Sequence, residues 1–223
     1  LLPSPPATPQ LHCALSPGAL PSAQLFSPAC DGAEISGAVG RSVTFSLQTL
    51  YGKAAAWSHE NDVIVTVKFG DPPEATFFDD NYKTRLAFPE KGRALTISQL
   101  RMDDAGTYTA KISSVKTTFT LHVYRELAEP TVTCVAQNCS VNSCHYMLNC
   151  TASSPGSGKV SYSWSLGDRP QGEGPMVLVE ESPLDEQPSL LTCMAQNPVS
   201  SRNITVTSPA ALCAGNSHRK VQG

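Results

Sequence analysis

The chain has 223 residues, of which 40% are hydrophobic and 16% are charged. This composition excludes a disordered chain, and the length fits two domains of roughly 100 residues each. With 16 basic and 19 acidic residues the formal net charge is −3, so no positive field attracts nucleic acid or acidic lipid. No stretch reaches about 18 consecutive apolar residues, so the sequence predicts no membrane-spanning segment.

The first segment, residues 1–32, is predicted to be a proline-rich flexible leader. Seven of the 18 prolines fall within its first 30 residues, and no apolar periodicity is sustained there. Because proline lacks a backbone N–H donor, such a segment cannot build a β-ladder. It contains Cys13 and Cys30, which are predicted either to close a local loop or to stay free thiols.

Short runs of alternating apolar and polar residues follow and predict a first all-β domain over residues 33–125. Val43, Phe45 and Leu47, for example, would lie on one face of a strand. Helix signals are nearly absent. The predicted strands cover residues 41–47, 54–58, 63–69, 84–88, 94–100, 106–113 and 115–124.

A short charged segment ending at Pro130 separates this domain from a second one, predicted over residues 130–214. The second half is again a succession of short strands, with turns where glycine and proline cluster. Its predicted strands cover residues 146–153, 160–166, 176–180, 190–197 and 204–207. The last segment, residues 215–223, is polar and basic and is predicted to form a stalk or tail.

Cysteine content and glycosylation signals indicate an extracellular protein. The chain has eight cysteines, which is high for a reducing cytosol, and three N-x-[ST] acceptors. The acceptor asparagines are Asn138, Asn149 and Asn203, and all three lie in the second half. The sequence therefore predicts a glycoprotein with disulfide bonds.

Three residues of the second half have the spacing of an immunoglobulin sandwich. Cys150, Trp164 and Cys193 match the strand B cysteine, strand C tryptophan and strand F cysteine, whose disulfide joins the two sheets over the buried indole. The two cysteines are 43 positions apart, which fits a constant-like domain of seven strands. A disulfide closing such a loop would stabilise the domain by about 4 kcal/mol in the chain-entropy model.

The first half has the same frame without the disulfide. Tyr108, preceded by Asp104, matches the tyrosine at the start of strand F, but Ala110 stands where cysteine is usual. Leu47 occupies the matching strand B position, so packing alone is predicted to hold the two sheets together. The 63 positions from Leu47 to Ala110 leave room for two extra edge strands and predict a variable-like domain. Arg85 is predicted to form an ion pair with Asp104.

Specific motifs stand at the strand F region of each half. They are residues 100–112 (LRMDDAGTYTAKI) in the first, and residues 192–200 (TCMAQNPVS) with 211–213 (ALC) in the second. These stretches resemble the ectodomains of the SLAM (signalling lymphocytic activation molecule) family, most of all its lymphocyte antigen nine branch. The resemblance covers about residues 35–214 and implies a disulfide-free variable-like domain followed by a constant-like domain with disulfides.

The family pattern implies a second disulfide in the second domain. It joins a cysteine six positions before the strand B cysteine to one just after strand G, which here are Cys144 and Cys213. That leaves Cys134 and Cys139, which are predicted to pair with each other or with a cysteine of the leader.

The residues give no support for an enzyme, a metal site or a cofactor. The five histidines are scattered, and none stands in a metal-binding or nucleophile motif. Cys134, Cys139, Cys144 and Cys150 lack the C-x₂-C pairs that zinc sites favour. A disulfide-rich extracellular enzyme would need a deep pocket that gathers a histidine and a carboxylate.

The predicted function is recognition by the outer face of the front sheet of the first domain. If Trp57 and Tyr108 point inward, alternation sends the neighbouring polar residues outward. The predicted face consists of Ser58, Glu60, Thr66, Lys68, Thr109, Lys111, Ser113, Lys116 and Thr118. The pattern is also typical of an ordinary solvated sheet face, but the lack of glycan acceptors in this domain favours a binding surface.

The resemblance implies a single-pass type I receptor on the surface of immune cells that mediates adhesion and signalling. In that family the front sheet docks, usually on an identical molecule of an opposing cell. Weak homophilic binding is therefore expected, with lysines of one copy meeting Glu60, Asp79 or Asp80 of the other. Binding to another family member, or a soluble or decoy form, is the alternative. Signalling would use SH-two adaptors, through a tail that this sequence does not contain.

Overall fold

The computed structural model describes residues 32–48, 51–182 and 190–214. The chain divides into two compact units, with the boundary between Val123 and Tyr124. Cys13, Cys30, nearly all of the predicted leader and the predicted tail lie outside the described residues. Each unit is a β-sandwich with its own hydrophobic core, which confirms the predicted fold class.

Unit 1 is built from a six-stranded and a three-stranded sheet. Its strands are β1 (Ala33–Ala38), β2 (Val43–Ser46), β3 (Ala54–His59), β4 (Asp62–Lys68), β5 (Glu74–Phe77), β6 (Leu86–Ala87), β7 (Ala94–Ile97), β8 (Gly106–Ile112) and β9 (Val115–Tyr124). The larger sheet has the order β1-β9-β8-β3-β4-β5, and the smaller has the order β2-β7-β6. Strands β4 and β5 extend the larger sheet at its edge, so the expected two extra strands are present and the domain is variable-like.

The core of unit 1 is a cluster of aromatic rings between the two sheets. Phe45 of β2 lies with its ring centroid 5.1 Å from that of Tyr108 and 5.0 Å from that of Phe119. Trp57 of β3 is fully buried against the same rings. Rings in such offset arrangements contribute stabilisation beyond their buried area.

Leucine and alanine replace the usual disulfide of unit 1, as the sequence predicts. Leu47 and Ala110 are both buried in this core cluster, with 6% and 1% of their surface exposed. Hydrophobic contacts therefore do what a covalent bond does in most domains of this shape, and the sheets depend on tight packing.

Unit 1 contains a buried ion pair between Arg85 and Asp104. Arg85 donates to Asp104 through two parallel hydrogen bonds of 2.6 and 2.8 Å, and each side chain is only 4% exposed. Asp104 also accepts a hydrogen bond from the backbone N–H of Arg101 at 2.7 Å. These contacts confirm the predicted pair, and the hydrogen bonding to Asp104 raises the pKa of Arg85.

The hydroxyl of Tyr108 donates to the backbone carbonyl of Asp104 at 2.8 Å, as expected for a tyrosine at this corner. The hydroxyl of Tyr82 lies 3.4 Å from that of Tyr108. Burial is the main cause that raises the pKa of both phenols above the usual value. Their neutral form is therefore favoured in the folded state.

We expect Tyr108→Phe to lower the free energy of unfolding by about 1–3 kcal/mol near neutral pH, because the carbonyl of Asp104 loses its buried donor. Since folding raises the pKa of Tyr108, its contribution is complete below about pH 10 and falls as the pH rises further. Urea unfolding near neutral pH and above about pH 10 checks both effects. The variant should lose less stability on alkalinisation than the parent, whereas Tyr51→Phe, at a residue that is 85% exposed, should match the parent.

Unit 2 is built from a three-stranded and a four-stranded sheet, followed by one short helix. Its elements are β10 (Thr131–Cys139), β11 (Cys144–Thr151), β12 (Ser161–Leu166), β13 (Arg169–Glu173), β14 (Met176–Glu181), β15 (Leu191–Asn197), β16 (Ser200–Val206) and α1 (Pro209–Ala214). The sheet orders are β10-β11-β14 and β13-β12-β15-β16. These seven described strands give the short, constant-like arrangement that the spacing predicts.

The predicted inter-sheet disulfide of unit 2 is confirmed. Cys150 of β11 is bonded to Cys193 of β15, and both are fully buried. Trp164 of β12 lies in the same core cluster, in register with Cys193 on the neighbouring strand. The bond links the two sheets over the indole, as the immunoglobulin frame requires.

The implied Cys144–Cys213 disulfide is wrong. Cys213 of α1 is bonded to Cys134, with 5.1 Å between their Cα atoms, and Cys144 is bonded to Cys139. Cys134 is in register with Leu148, four positions along β11 from Cys144, which separates the Cys134 and Cys144 rows by about 13 Å. A bond from Cys213 cannot reach that far, because bonded cysteines need Cα atoms within about 7 Å. The alternatives that paired Cys134 with Cys139 or with the leader are excluded as well.

Candidate binding face

The outer surface of the six-stranded sheet of unit 1 is the candidate binding surface, and it is called the front face below. Tyr108, Ala110 and Ile112 of β8 are buried, so the residues between them point outward. Strands β9, β3, β4 and β5 continue this surface on either side of β8. Side chains of the front face come from Ala54, Ala56, Ser58, Val63, Thr66, Lys68, Glu74, Thr76, Thr107, Thr109, Lys111, Lys116, Thr118 and Thr120.

Two lysines lie side by side on the front face. Lys111 of β8 is directly opposite Lys116 of β9, and the next outward pair along the strands is Thr109 with Thr118. Both lysines are exposed, and neither has an acidic partner among the described residues. Like charges directly opposite each other on a sheet are destabilising, so folding alone gives no reason for this pair.

The centre of the front face is formed by small residues. Ala56 of β3 is in register with Lys111 on one side and with Thr66 of β4 on the other. At the edge of the face, Lys68 bonds both carboxylate oxygens of Glu74 at 3.1 Å. Lys68 is therefore already paired within its own chain, which distinguishes it from Lys111.

A β-bulge changes the face at one point that the sequence does not reveal. The register between β3 and β4 shifts at Trp57 and Ser58, and Ser58 is then opposite Val63. As a result Ile64 and Val65 are both buried, while Val63 points outward and is 45% exposed. Strict alternation places Val63 with the buried residues, so its contribution to the face was missed.

Two of the predicted face residues lie in turns and not on strands. Glu60 and Ser113 both have positive φ, at 53° and 51°. The carboxylate of Glu60 accepts a hydrogen bond of 2.8 Å from the backbone N–H of Thr107. Glu60 lies against Gly106, where a side chain would collide with it, so glycine is needed at that position. Glu60 thus stands at one end of the front face, and Ser113 stands at the other.

Charge is distributed unevenly along the front face. Lys111 and Lys116 lie at the end where β8 turns into β9, and Glu60 lies at the opposite end, where β3 turns into β4. Four residues of β8 separate the two ends, a distance of about 13 Å, which exceeds the screening length of about 8 Å in physiological salt. The front face therefore has a basic end and an acidic end that act separately.

The glycan acceptors all stand in unit 2. Asn138 lies on β10, Asn149 on β11 and Asn203 on β16. Residues 32–123 contain no N-x-[ST] sequence, so no N-linked glycan can be attached to the front face. Within the described ranges no group of His, Cys, Asp or Glu could hold a metal ion, and no helix there is long and apolar enough to cross a bilayer.

Two sandwiches of the immunoglobulin type, one without an inter-sheet disulfide and one with it, place the chain in the class of two-domain immunoglobulin-like proteins. Comparison with solved structures agrees on the fold: the CD2-binding domain of CD58 matches with a TM-score of 0.57 over 79% of this chain and 97% of that chain, at 18% identity. No family model matches the sequence.

Several curated proteins that are similar to this chain are members of the SLAM family. It is 34% identical to SLAM family member 5 of Mus musculus over 182 residues, covering 78% of this chain and 54% of that protein. It is also 34% identical to T-lymphocyte surface antigen Ly-9 of Homo sapiens over 185 residues, covering 76% of this chain and 27% of that protein. Equal identity does not separate the two branches. The chain spans about half the length of the first of these relatives.

Proposed function

We propose that this chain is part of the ectodomain of an immune-cell surface receptor of the SLAM family, and that the front face of unit 1 binds a second copy of the chain on an opposing cell. Adhesion and signalling would follow from that contact. A type I membrane anchor, a tail that recruits SH-two adaptors and membership of the lymphocyte antigen nine branch belong to the same proposal. The support is homology to SLAM receptors together with the chemistry of the front face.

The observation that carries this proposal is the pair Lys111 and Lys116, for which the described part of the chain offers no acidic partner. The cost of two neighbouring cations is recovered when an acidic surface approaches them. A positively charged site at one end of a face with a negatively charged site at the other is complementary to a copy of itself. The front face thus has the charge pattern that a self-pair needs.

A self-pair has two-fold symmetry, so each contact occurs twice. A two-fold axis that lies between the two faces, parallel to them and at right angles to β8, brings Lys111 and Lys116 of one copy opposite Glu60 of the second copy. Asp79 and Asp80 stand just after β5, and the backbone N–H of Asn81 occupies the carboxylate of Asp79 at 2.9 Å. The carboxylate of Glu60 likewise accepts the backbone N–H of Thr107, but Glu60 lies at the end of the face opposite the lysines, whereas Asp79 and Asp80 lie beyond the edge strand β5. Glu60 is therefore the better acidic partner.

The composition of the front face favours weak binding. Its uncharged part is mainly threonine and alanine, with Val63 as the large apolar side chain that is most exposed. Interfaces of this kind bury little apolar area and retain water, which is typical of small, transient contacts. Many copies at one cell contact would supply strength by avidity.

We expect the double variant Lys111→Glu/Lys116→Glu to weaken self-association by about tenfold or more, because each acidic end then meets an acidic partner. Sedimentation of the ectodomain up to high micromolar concentration measures this. Lys159→Glu/Arg169→Glu makes the same charge change at exposed positions of unit 2 and should leave association unchanged.

A complementary variant tests the pairing itself. Glu60→Lys should also weaken self-association, but mixing it with Lys111→Glu/Lys116→Glu should restore a heterodimer. A wild-type chain that stays monomeric throughout would contradict self-recognition and leave another family member as the ligand. Dimers that persist in every variant would show that a different face is used.

A further inference from the structure

The outer face of the three-stranded sheet of unit 2 exposes an apolar stripe. It consists of Met147 on β11 and of Met176 and Leu178 on β14, and Met147 is directly opposite Leu178. Met176 is 48% and Leu178 is 61% exposed, whereas Val177 and Val179 between and beside them are buried. Adjacent long apolar side chains on a sheet surface usually have something that covers them.

A glycan acceptor stands within this stripe. Asn149 is directly opposite Met176 on the neighbouring strand. The two side chains therefore point to the same side of the sheet and are about one strand spacing apart. Met147 is two positions earlier on the same strand and points the same way. A sugar on Asn149 would therefore start between these two methionines.

A second acceptor lies at the other end of the stripe. Asn138 of β10 is opposite His145 on the same outer face, one outward position beyond Met147. Glycans at both ends leave little room for a protein to reach the side chains between them. This arrangement favours the chain's own glycans as the cover and not a partner protein.

We propose that an N-linked glycan on Asn149 lies over Met147, Met176 and Leu178 and shields them from water. In its attachment, Nδ2 of Asn149 forms a bond to C1 of the first N-acetylglucosamine of a lipid-linked oligosaccharide. The bond from that carbon to the pyrophosphate of the lipid breaks, and the amide nitrogen loses one proton. The C–H faces and the acetyl methyl group of the sugar then supply the apolar surface that contacts the stripe.

The order of synthesis makes this attachment possible. Cys150, the middle residue of the acceptor sequence, is fully buried in its disulfide with Cys193, which is 43 positions later in the chain. The acceptor is translated first, so it is open to modification before Cys193 is present. Asn149 stays half-exposed on the outer face after folding, and the folded sandwich can keep the glycan.

The experiment uses the chain secreted from a glycosylating cell line. We expect Asn149→Gln to raise the fluorescence of a bound hydrophobic dye severalfold over that of the parent glycoprotein. Asn203→Gln is the matched control, because it removes a glycan from the other sheet, where one exposed apolar side chain, Met194, is opposite Asn203 and its outward neighbours Ser163, Ser201 and Thr205 are polar. The control should raise the dye signal much less, because it uncovers a single methionine and not a stripe of three apolar side chains.

Further variants connect the signal to the stripe. Adding Met176→Thr and Leu178→Thr to Asn149→Gln should return the dye signal to the parental level, and trimming the glycan to one N-acetylglucosamine should keep it low. Nuclear Overhauser contacts between the methyl group of Met176 and that sugar report the contact directly. Peptide mapping that finds Asn149 unmodified, or equal signals from Asn149→Gln and Asn203→Gln, would overturn the proposal. So would self-association of the intact glycoprotein that Met176→Thr abolishes.

Discussion

Replacing Asp104 by Asn is expected to lower the free energy of unfolding of unit 1 by about 3–5 kcal/mol, because it leaves the guanidinium of Arg85 buried without a counter-charge. Two parallel charge-assisted hydrogen bonds and the bond from the N–H of Arg101 all end on this carboxylate. An amide has only one oxygen and carries no charge, so it cannot replace them.

A paired variant tests whether the cost comes from the isolated charge. Arg85→Leu/Asp104→Leu removes both ions, and we expect it to be more stable than Asp104→Asn, since apolar residues can replace a buried pair at little cost. Lys68→Ala breaks the surface pair with Glu74 and should change stability by less than about 1 kcal/mol. Amide hydrogen exchange resolves the loss separately for unit 1 and unit 2. An Asp104→Asn loss no larger than that of Lys68→Ala would contradict the assignment.

The frame of unit 1 could be predicted because its signals are local. Asp104 and Tyr108 are separated by one short turn, and their spacing alone places the corner and the start of β8. The number of positions between Leu47 and Ala110 shows how much chain lies between two core residues. Strands β4 and β5 account for the extra length. Because Leu47 and Ala110 are not cysteines, no disulfide can join these two positions.

The second disulfide could not be predicted from spacing. Its partner depends on how β10 and β11 are aligned, and a register shift between Cys134 and Ala136 sets that alignment. The short helix α1 then brings Cys213 to Cys134. Neither the register shift nor the direction of a single helical turn produces a periodic pattern in the sequence. The expected pair therefore came from the family resemblance, and it was wrong.

The front face was predicted in part for a similar reason. Lys111, Lys116 and the threonines follow from regular alternation on β8 and β9, where pairing has no shift. Val63 depends on the bulge at Trp57 and Ser58, and the hydrogen bond of Glu60 depends on a turn with positive φ. Regular strands can be read from a pattern of period two, whereas bulges and turns require the neighbouring strand.

Removing the inter-sheet disulfide is expected to destabilise unit 2 about twice as much as removing the hairpin disulfide. Cys150→Ala/Cys193→Ala opens a loop of 43 positions, which costs about 4 kcal/mol in the chain-entropy model. Cys139→Ser/Cys144→Ser opens a loop of five positions, which costs about 2 kcal/mol in the same model. Both cysteines of the first pair are fully buried beside Trp164, and the cavity left there adds to the difference.

Urea unfolding without reductant, followed by amide exchange in unit 2, compares the two variants. Peptide mapping without reduction should show Cys134 linked to Cys213 in the parent and in both variants. Two results would contradict this pairing: a hairpin variant that loses as much stability as the inter-sheet variant, or a peptide in which Cys144 is linked to Cys213. Either would mean that Cys144 is bonded to Cys213 and not to Cys139. In that case Cys213 would have to lie about 13 Å from the position where its bond to Cys134 holds it, and the packing of α1 against β10 would be wrong.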